Sequence, residues 1–429
     1  MSKTPVRDTA PRPSSNPCSR AQRFQAVRAK TRALVAPLSA EDCAIQSMTE
    51  ASPAKWHLAH TTWFFETFIL ARRDPKREPF HPAFRMLFNS YYNAVGERHP
   101  RPQRGMLSRP SLDEVLRYRA VIEEELAPLI GRDLDEELEA LVELGIHHEQ
   151  QHEELLLTDA KHMLSLNPLR PAYQKTWPLT PIEARRPSWI RVEGGKHAIG
   201  HAGDGFAFDN ETPRHAVWLE DFELASHPVT NGEFAAFIED GGYRRPELWL
   251  SLGWDAVAAK GWQAPLYWER RDGAWRTFTL CGMAPVERNT PLCHVSFFEA
   301  DAYARWAGAR LPTEAEWEVA MAEVPVSGNF MESGALHPLA PREAPAAGTF
   351  AQAFGDVWEW TRSDYAPYPR FRPAKGAVGE YNGKFMCNQY VLRGGSCVSA
   401  ASHLRATYRN FFPAEARWQF SGLRLARDA

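Results

Sequence analysis

A change in the spacing of apolar residues divides this chain and limits its fold more than any other feature. Through residue 166 the apolar side chains recur every three or four residues, which is the repeat of amphipathic helices. Proline is frequent in residues 167–190, and beyond them short apolar runs alternate with glycine turns. The first half therefore predicts helices and the second half short strands, so the expected class is a two-domain α+β protein.

Four helical segments in the first half predict a four-helix bundle, and they cover residues 24–38, 53–71, 113–130 and 134–164. The second half predicts an α+β domain with short, irregular strands and two helices, one after Ser296 and one opening at Thr313. The first 20 residues lack the apolar run of a signal peptide, so we expect a disordered tail there. The predicted organisation is a tail (1–20), a bundle (21–166), a proline-rich linker (167–190) and an α+β domain (191–429).

Charge and cysteine usage narrow the class of protein. The formal net charge of −3 gives no electrostatic reason to expect nucleic acid or an anionic membrane as a partner. No run of about eighteen apolar residues predicts a membrane span. The six cysteines are scattered without a C-x-x-C pair, which is typical of reduced thiols in the cytoplasm. We therefore expect a cytoplasmic protein with no nucleic-acid or membrane partner.

Residues 147–154, HHEQQHEE, contain the H-E-x-x-H pattern of zinc proteases, in which two histidines bind zinc and the glutamate acts as base. His148 and His152 lie one helical turn apart, about 6 Å, and can share a metal. A zinc protease needs a third ligand further along the chain. The extended pattern would place its glycine and histidine at Leu155 and Thr158, and after Glu154 the next glutamate is Glu183, beyond a proline-rich stretch that offers no following helix. The protease interpretation therefore fails at the third ligand.

A second pair of histidines, His57 and His60, lies on an earlier predicted helix. Facing helices of a bundle can supply ligands to one interior metal, so one of this pair would complete a three-histidine site with His148 and His152. Helical geometry does not choose between the two. Three neutral imidazoles suit Zn²⁺ and Fe²⁺ about equally well. The alternatives are a solvated histidine pair, or a structural zinc bundle that supports a lectin-like binding module.

Several motifs extend over both halves in a fixed order. They are WHLAH (56–60), HEQQH (148–152), FDNETPRH (208–215), HPVTNGEF (227–234), RLPTEAEWE (310–318), GDVWEWT (355–361), VLRGGS (391–396), RATYRNFF (405–412) and SGLRLA (421–426). This combination resembles the non-haem iron sulfoxide synthases of ergothioneine biosynthesis and the related selenoneine synthases. In that family a DinB-like four-helix bundle is fused to a formylglycine-generating-enzyme-like domain, a C-type-lectin-related fold.

The resemblance implies the metal, the substrates and the reaction. It implies Fe(II) as the cofactor, held by His60, His148 and His152. It also implies that a thiol, O₂ and hercynine, the Nα-trimethylated form of histidine, meet at that iron. A C–S bond then forms at imidazole C2, with oxidation to the sulfoxide. Three neutral ligands leave positions on the metal open, as this chemistry requires.

The resemblance also implies substrate contacts. Gln151 matches a glutamine that contacts hercynine, and Asn410, Phe411 and Phe412 match the positions that bind its betaine end. A quaternary ammonium has no hydrogen to donate, so aromatic faces and carbonyl oxygens must recognise it. The alternative is that the phenylalanine pair belongs to the core.

Tyr91 and Tyr92 are the candidate proton donors near bound O₂, because some relatives carry such a pair in the N-terminal half. Other relatives use a tyrosine of the C-terminal domain, which the sequence between Pro369 and Phe385 does not place. Arg101 and Arg104 lie in the same loop as the tyrosine pair and could hold the carboxylate of a thiol substrate.

Phe412 departs from the family pattern. Relatives that use γ-glutamylcysteine have an acid there, which meets the α-amine of that donor. The substitution indicates another donor, and we expect free cysteine. The nearest alternative is a selenosugar, with formation of a C–Se bond. A DinB-type metal-dependent thiol transferase is the alternative from another class of enzyme.

Overall fold

The computed structural model describes residues 19–131, 134–175, 188–341, 346 and 348–429. The predicted tail lies outside the described residues except for its last two positions. The centre of the predicted linker, residues 176–187, also lies outside them. The last two linker positions, 189 and 190, belong to the first strand of the C-terminal half.

Helices make up the N-terminal half, as the apolar spacing predicts. The long ones are α1 (Arg20–Val35), α2 (Ala54–Phe65), α4 (Leu112–Ile130) and α5 (Glu136–Leu166), and α3 (Phe84–Leu87) is a single turn. A π-helical turn (Glu66–Leu70) and a last α-turn (Ala71–Arg73) extend α2. The prediction of four helices is therefore confirmed.

The first helix is displaced from the predicted segment by a few residues at each end. Ser19 and Gln22 form a capping box that starts α1 at Arg20. The helix ends at Val35 with Ala36 as its C-cap, and Pro37 follows, which has no N–H with which to continue the helical hydrogen bonds.

The C-terminal half is built from short strands with helices between them, so the α+β class is confirmed. In chain order the elements are β1 (Trp189–Val192), β2 (Gly195–Ile199), β3 (His215–Leu219), β4 (Phe222–Ala225), α6 (Asn231–Glu239), α7 (Ser251–Lys260), β5 (Trp268–Arg271), β6 (Ala274–Thr279), β7 (Gly282–Pro285), α8 (Phe297–Trp306), α9 (Glu314–Met321), β8 (Trp358–Asp364), α10 (Glu380–Gly383), β9 (Gln389–Arg393), β10 (Asn410–Pro413), β11 (Ser421–Gly422) and β12 (Ala426–Asp428). Short 3₁₀ turns occupy Asp42–Ala44, Asn93–Val95, Arg101–Met106, Asp209–Glu211, Gly242–Arg244, Pro246–Leu248, Met331–Ser333, Ala377–Gly379 and Ala401–His403.

Within the described ranges the strands form four small sheets. Their orders are β1-β4-β12, β10-β9-β8-β11, β2-β3 and β5-β6-β7. Every pairing is antiparallel except that of β8 with β11. Strand β10, which carries the Asn-Phe-Phe segment, is the edge of the second sheet and pairs with β9 in the register Asn410 to Leu392.

Helix α6 was missed in the sequence although it carries a clear start signal. Thr230 accepts a hydrogen bond from the Glu233 N–H, and Glu233 reaches back to the Thr230 N–H. This is the same capping box that correctly predicts α8 and α9. Helix α7 has no side-chain cap and was also missed.

A buried ion network joins three helices of the bundle at Glu149. This carboxylate is fully buried, and Arg28 of α1 and Arg119 of α4 donate to it at 2.9 and 2.8 Å. Thr31 adds a hydroxyl donor at 2.7 Å. Burial raises the pKa of Glu149, but the two guanidinium groups outweigh it and lower that pKa to about 2. The glutamate of the H-E-x-x-H pattern is therefore a structural anion, and it is not available as the base of a protease.

Helix α5 connects the two domains. It has 31 residues, and its exposed faces are few because the C-terminal domain packs along it. Glu154 accepts hydrogen bonds from Ser399 at 2.5 Å, Trp358 at 2.6 Å and Ser396 at 3.0 Å, which fastens the helix to β8 and to the segment after β9. No helix in the described ranges is both long and apolar enough to cross a bilayer.

Replacing Glu149 with Ala should destabilise the protein by about 3–5 kcal/mol, because two buried guanidinium groups then lose their counter-ion. Urea unfolding of the variant measures this change in free energy. Glu139→Ala is the matched control on α5, since it removes a solvent-exposed pair with Arg20 and should cost less than about 1 kcal/mol. Equal losses from the two substitutions would contradict this account of the bundle.

A candidate metal centre between the two domains

Three histidines meet inside the bundle. His60 projects from α2, and His148 and His152 project from successive turns of α5. One ring nitrogen of each lies within 4.8 Å of the other two, and His60 Nε2 is 3.2 Å from His148 Nε2. This group includes His60 and excludes His57, a choice that helical geometry alone left open.

Hydrogen bonds fix the direction of two of these rings. The Phe88 carbonyl can only accept, so His60 Nδ1 must donate to it at 2.6 Å, and Nε2 keeps its lone pair. His152 Nδ1 lies 2.8 Å from His57 Nδ1, and His57 Nε2 lies 3.1 Å from Asp159 Oδ2. With the carboxylate accepting from His57 Nε2–H, the other ring nitrogen of His57 is the acceptor for His152 Nδ1–H. The His152 Nε2 lone pair is then free for a metal, which is the usual role of such outer partners.

Burial keeps the three imidazoles neutral. It lowers the pKa of His148 to about 4 and those of His60 and His152 well below the ordinary value. Neutral imidazole is the form that binds metals, and one ring nitrogen of each of the three histidines lies within 4.8 Å of the others, close enough to share one cation. The donors present therefore fit a divalent first-row metal, and Fe²⁺ and Zn²⁺ suit them equally.

A cavity of about 320 Å³ opens beside the three histidines, and both domains line it. All the residues that the sequence singled out for substrate binding or proton transfer lie on its wall: Tyr91, Tyr92, Arg101, Arg104, Gln151, Asn410, Phe411 and Phe412. The structure thus brings together side chains that are more than 300 positions apart in the chain.

Arg104 is a buried cation on this wall. Its guanidinium lies 3.4 Å above the Trp56 ring, which in turn stacks on the imidazole of His60 at 4.6 Å. It donates to the hydroxyls of Ser52 at 2.9 Å and Ser90 at 3.3 Å, and among the described side chains no carboxylate forms an ion pair with it. Burial, with a smaller contribution from Arg101, lowers the pKa of Arg104 to about 9. A buried, charged guanidinium without an acid partner is suited to an anionic ligand.

The two predicted tyrosines occupy different positions. Tyr92 is buried against Trp63 and Phe68, with ring centroids 5.6 and 5.1 Å away. Tyr91 lies nearer the surface, where its hydroxyl accepts a hydrogen bond from Arg101. Burial raises the pKa of the Tyr92 phenol, so it holds its proton across the neutral range.

Tyr381 is a cavity residue that the sequence did not identify. It lies on the single turn α10, inside the segment 369–385 where no tyrosine could be placed beforehand. Tyr408 was also missed, although it stands two residues before Asn410 in the RATYRNFF motif. Its hydroxyl accepts a hydrogen bond from Gln151 Nε2 at 2.8 Å. The motif itself was the available signal for Tyr408, and for Tyr381 it was that this is the sole tyrosine between Pro369 and Phe385.

The Asn-Phe-Phe segment forms the C-terminal wall of the cavity. Phe411 stacks on Tyr365 at 4.0 Å, and Phe412 meets the edge of Trp418 at 5.5 Å. Both phenylalanines are only partly buried, so their rings are presented to the cavity and do not fill the core.

A larger chamber of about 940 Å³ adjoins this cavity. The two spaces share Glu50, Gln389, Pro413 and Trp418 on their walls. The outer chamber is lined by aromatic rings such as Trp262 and Tyr390, by amides, and by charged side chains, among them Lys260, Asp364 and Glu415. Its volume is sufficient for a ligand of several rings beside the metal-site cavity.

Comparison with known proteins identifies both domains. Residues 23–156 match the DinB superfamily, and residues 178–429 match the sulfatase-modifying factor enzyme 1-like domain. The predicted combination of a DinB-like bundle with a formylglycine-generating-enzyme-like domain is thus confirmed.

Two similar proteins extend over almost the whole chain. The hercynine oxygenase of Mycolicibacterium thermoresistibile is 35% identical over 402 residues, which are 88% of this chain and 87% of that protein. The hercynine oxygenase of Mycobacterium tuberculosis is 35% identical over 424 residues, which are 94% of this chain and 96% of that protein. A formylglycine-generating enzyme of Streptomyces coelicolor is 31% identical over 292 residues, covering 56% of this chain and 89% of that protein.

Metal titration tests the assignment of the three ligands. Replacing His60, His148 or His152 with Ala removes one of three donors, so each variant should lose most of its bound metal. His57→Phe removes only the partner of His152 and should weaken affinity about 10- to 100-fold without abolishing binding. Anaerobic titration with Fe(II) against a chelator measures both effects.

His162→Asn is the matched control, because this histidine lies ten residues beyond His152 and bonds to the Ser47 hydroxyl at 2.7 Å. Its metal affinity should equal that of the parent protein. A His57 variant that binds as tightly as the parent would contradict the supporting role of His57.

Proposed function

The chain belongs to the hercynine oxygenase family, and from that premise we propose that it uses Fe(II) and O₂ to join the sulfur of free cysteine to imidazole C2 of hercynine. The observation that carries the proposal is the group of three buried, neutral imidazoles at the base of a cavity that both domains line. The reaction removes the hercynine C–H and the donor S–H and forms the C–S bond. One oxygen atom goes to sulfur as the sulfoxide, and the other leaves as water.

The metal is proposed to be iron because the reaction activates O₂. Fe(II) held by three imidazoles would supply open positions for the donor thiolate and for O₂. The surrounding residues contribute binding and orientation: the cavity wall excludes bulk water, and the Trp56 and Trp63 rings on either side of His60 hold that ligand in place.

Hercynine is proposed to lie between Gln151 and the Asn-Phe-Phe wall. Gln151 stands one residue before His152, so an imidazole bound to its amide lies next to the metal. The trimethylammonium group requires aromatic faces, which Phe411 provides, together with the amide carbonyl of Asn410. When the trimethylammonium group packs against the Phe411 ring and the imidazole lies at the metal, imidazole C2 points toward the donor sulfur.

The donor is proposed to be bound by Arg104. A buried guanidinium with hydroxyl partners and no carboxylate can form a two-point hydrogen bond with the carboxylate of cysteine. Arg101 lies further out and is already engaged by the Tyr91 hydroxyl and the Glu50 carbonyl, so it closes the donor side of the cavity.

The side chain at position 412 favours a short donor over a long one. The carboxylates on the cavity wall among the described residues are Glu50, which is exposed, and Glu154, which is satisfied by three donors. The α-amine of γ-glutamylcysteine would therefore meet the Phe412 ring. An unpaired, partly desolvated charge costs on the order of 1–3 kcal/mol. Cysteine is shorter and avoids this contact.

A selenosugar is the second candidate donor, and the outer chamber favours it. A sugar carries no carboxylate for Arg104, but it could occupy the aromatic and amide-lined space that continues from the cavity. The product would then contain a C–Se bond at the same imidazole carbon.

Tyr92 is proposed as the proton donor to reduced oxygen, with Tyr91 acting through Arg101. Tyr92→Phe should lower kcat by about 10²-fold or more, because a positioned acid typically contributes that much. The affinity for hercynine should change less than about twofold, since only the transition state uses the hydroxyl. Tyr91→Phe should mainly raise KM for the donor. If Tyr381→Phe alone abolishes turnover, the proton comes from the C-terminal domain instead.

Competition among donors tests the proposed reaction. Iron-loaded protein with hercynine and equal concentrations of cysteine, γ-glutamylcysteine and a selenosugar should give mainly the cysteine product, identified by mass. Discrimination against γ-glutamylcysteine should be about tenfold to a hundredfold, the equivalent of its unpaired amine.

Omission of O₂ should stop the reaction, which separates it from thiol transfer by a DinB-type enzyme. Arg104→Leu should weaken cysteine binding and leave selenosugar turnover unchanged. A preference for γ-glutamylcysteine would overturn the role given to Phe412, and turnover without O₂ would overturn the oxygenase proposal.

A further inference from the structure

His147, the first residue of the HHEQQHEE stretch, faces away from the metal and toward the C-terminal domain. Its Nε2 lies 3.3 Å from Glu143, and its Nδ1 lies 3.0 Å from His403 Nδ1. His403 Nε2 is in turn 3.1 Å from the Tyr408 hydroxyl, which Gln151 Nε2 contacts at 2.8 Å. Five side chains thus form a continuous chain of polar contacts from the bundle surface to the substrate cavity, hydrogen-bonded from His147 to Gln151.

The Glu143 carboxylate determines which group donates and which accepts at each step of this chain. Burial raises the pKa of Glu143, but His147 and Arg23 outweigh it and lower that pKa to about 2, so this carboxylate only accepts. His147 Nε2 must therefore carry the hydrogen, and the other nitrogen of a neutral imidazole then accepts from His403 Nδ1–H. His403 Nε2 accepts in turn from the hydroxyl of Tyr408.

The donor and acceptor roles fixed by Glu143 also determine which atom of the Gln151 amide is left for the substrate cavity. Because the Tyr408 proton is committed to His403, its oxygen can only accept from Gln151, and it does so from the amide N–H₂. The remaining polar atom of the amide, Oε1, is then the one left for the cavity. The orientation of a glutamine amide, which diffraction rarely distinguishes, follows here from the carboxylate at the far end.

The surroundings hold the members of the chain in place. His147, His403 and Tyr408 are all buried. Phe206 stacks on the His147 ring at 4.0 Å, and the Tyr408 ring lies 4.9 Å from the His403 ring. Arg405 donates to the backbone carbonyl of His403 at 3.0 Å, which fixes that segment of backbone.

We propose that Glu143, His147, His403 and Tyr408 are positioning residues that lock the Gln151 amide with Oε1 facing the substrate. The site then selects an imidazole that presents an N–H to Gln151, which leaves the lone pair of the other ring nitrogen directed elsewhere. An unconstrained amide would offer its N–H₂ as readily and would accept either tautomer. The inference rests on the proposed function, because it takes hercynine as the ligand of Gln151.

A double-mutant cycle on hercynine binding tests the relay, which is the chain of contacts from Glu143 through His147, His403 and Tyr408 to Gln151. Calorimetry on iron-loaded protein without O₂ and without donor gives Kd directly. Tyr408→Phe keeps the ring and removes only the hydroxyl, so it should raise Kd about three- to tenfold, the value of one hydrogen bond. In the Gln151→Leu background the same change should alter Kd less than about twofold, because the residue it positions is gone.

Glu143, at the opposite end of the chain from Gln151, allows a second double-mutant cycle. Glu143→Gln replaces an obligatory acceptor with a group that can also donate, so the direction is no longer fixed and Kd should rise about two- to fourfold. This change should also vanish in the Gln151→Leu background. Thermal unfolding of each variant identifies any loss of fold.

Ser402→Ala is the matched control. Ser402 accepts from Gln150, the neighbour of Gln151 that does not reach the substrate, at 2.7 Å, so Kd should be unchanged. If the parent protein binds hercynine and the two cycles are additive, the relay is wrong and the proposed function stands. If the parent protein does not bind hercynine, the proposed function fails and the relay fails with it.

Discussion

The helical repeat of α5 decides which parts of this protein meet at the cavity. Successive residues of a helix point about 100° apart, so a run of polar residues is distributed over every face. His148 and His152 turn toward α2, Glu149 turns toward Arg28 and Arg119, and His147 and Gln151 turn toward the C-terminal domain. Less than two turns of helix thus supply the metal ligands, the central ion network of the bundle and part of the domain interface.

Burial of polar groups makes the arrangement specific, because each one needs a partner in a medium of low dielectric constant. Asp159 shows how far this constraint extends. Its two oxygens accept from the Ser52 N–H, from His57 and from Trp418 Nε1, at 2.8, 3.1 and 3.1 Å. Trp418 belongs to the C-terminal domain and lines both cavities. The position of that domain is therefore coupled through Asp159 and His57 to the orientation of His152.

The need of a buried charge for a partner also distinguishes charges with a structural role from a charge that can bind a ligand. Glu149 and Glu154 are saturated by donors, and they hold helices and domains together. Arg104 is the contrasting case, since it is buried with hydroxyl partners and an aromatic face but has no carboxylate among the residues described. A buried charge without a counter-ion is stable only if a ligand or a neighbouring dipole compensates for its lost hydration. This imbalance is the physical basis for assigning the donor carboxylate to Arg104.

Much of the protein was determined by sequence alone. Apolar spacing gave the four helices, and capping boxes placed α8 and α9, because both depend on residues close together in the chain. The motifs, read together, identified the family and indicated three histidines and eight further residues that line the cavity, but they did not single out other wall residues such as Tyr381, Tyr408 and Trp358. The family resemblance implied His60 rather than His57, but the physical reason needed the tertiary structure, because both lie on α2 and only the packing against α5 shows which ring reaches the other two. The chain from Glu143 to Gln151 also needed it, since its members lie up to 265 positions apart and spacing cannot encode a contact between domains. Local sequence fixes what a side chain can do, and the packing of α5 against its neighbours decides which side chains act together.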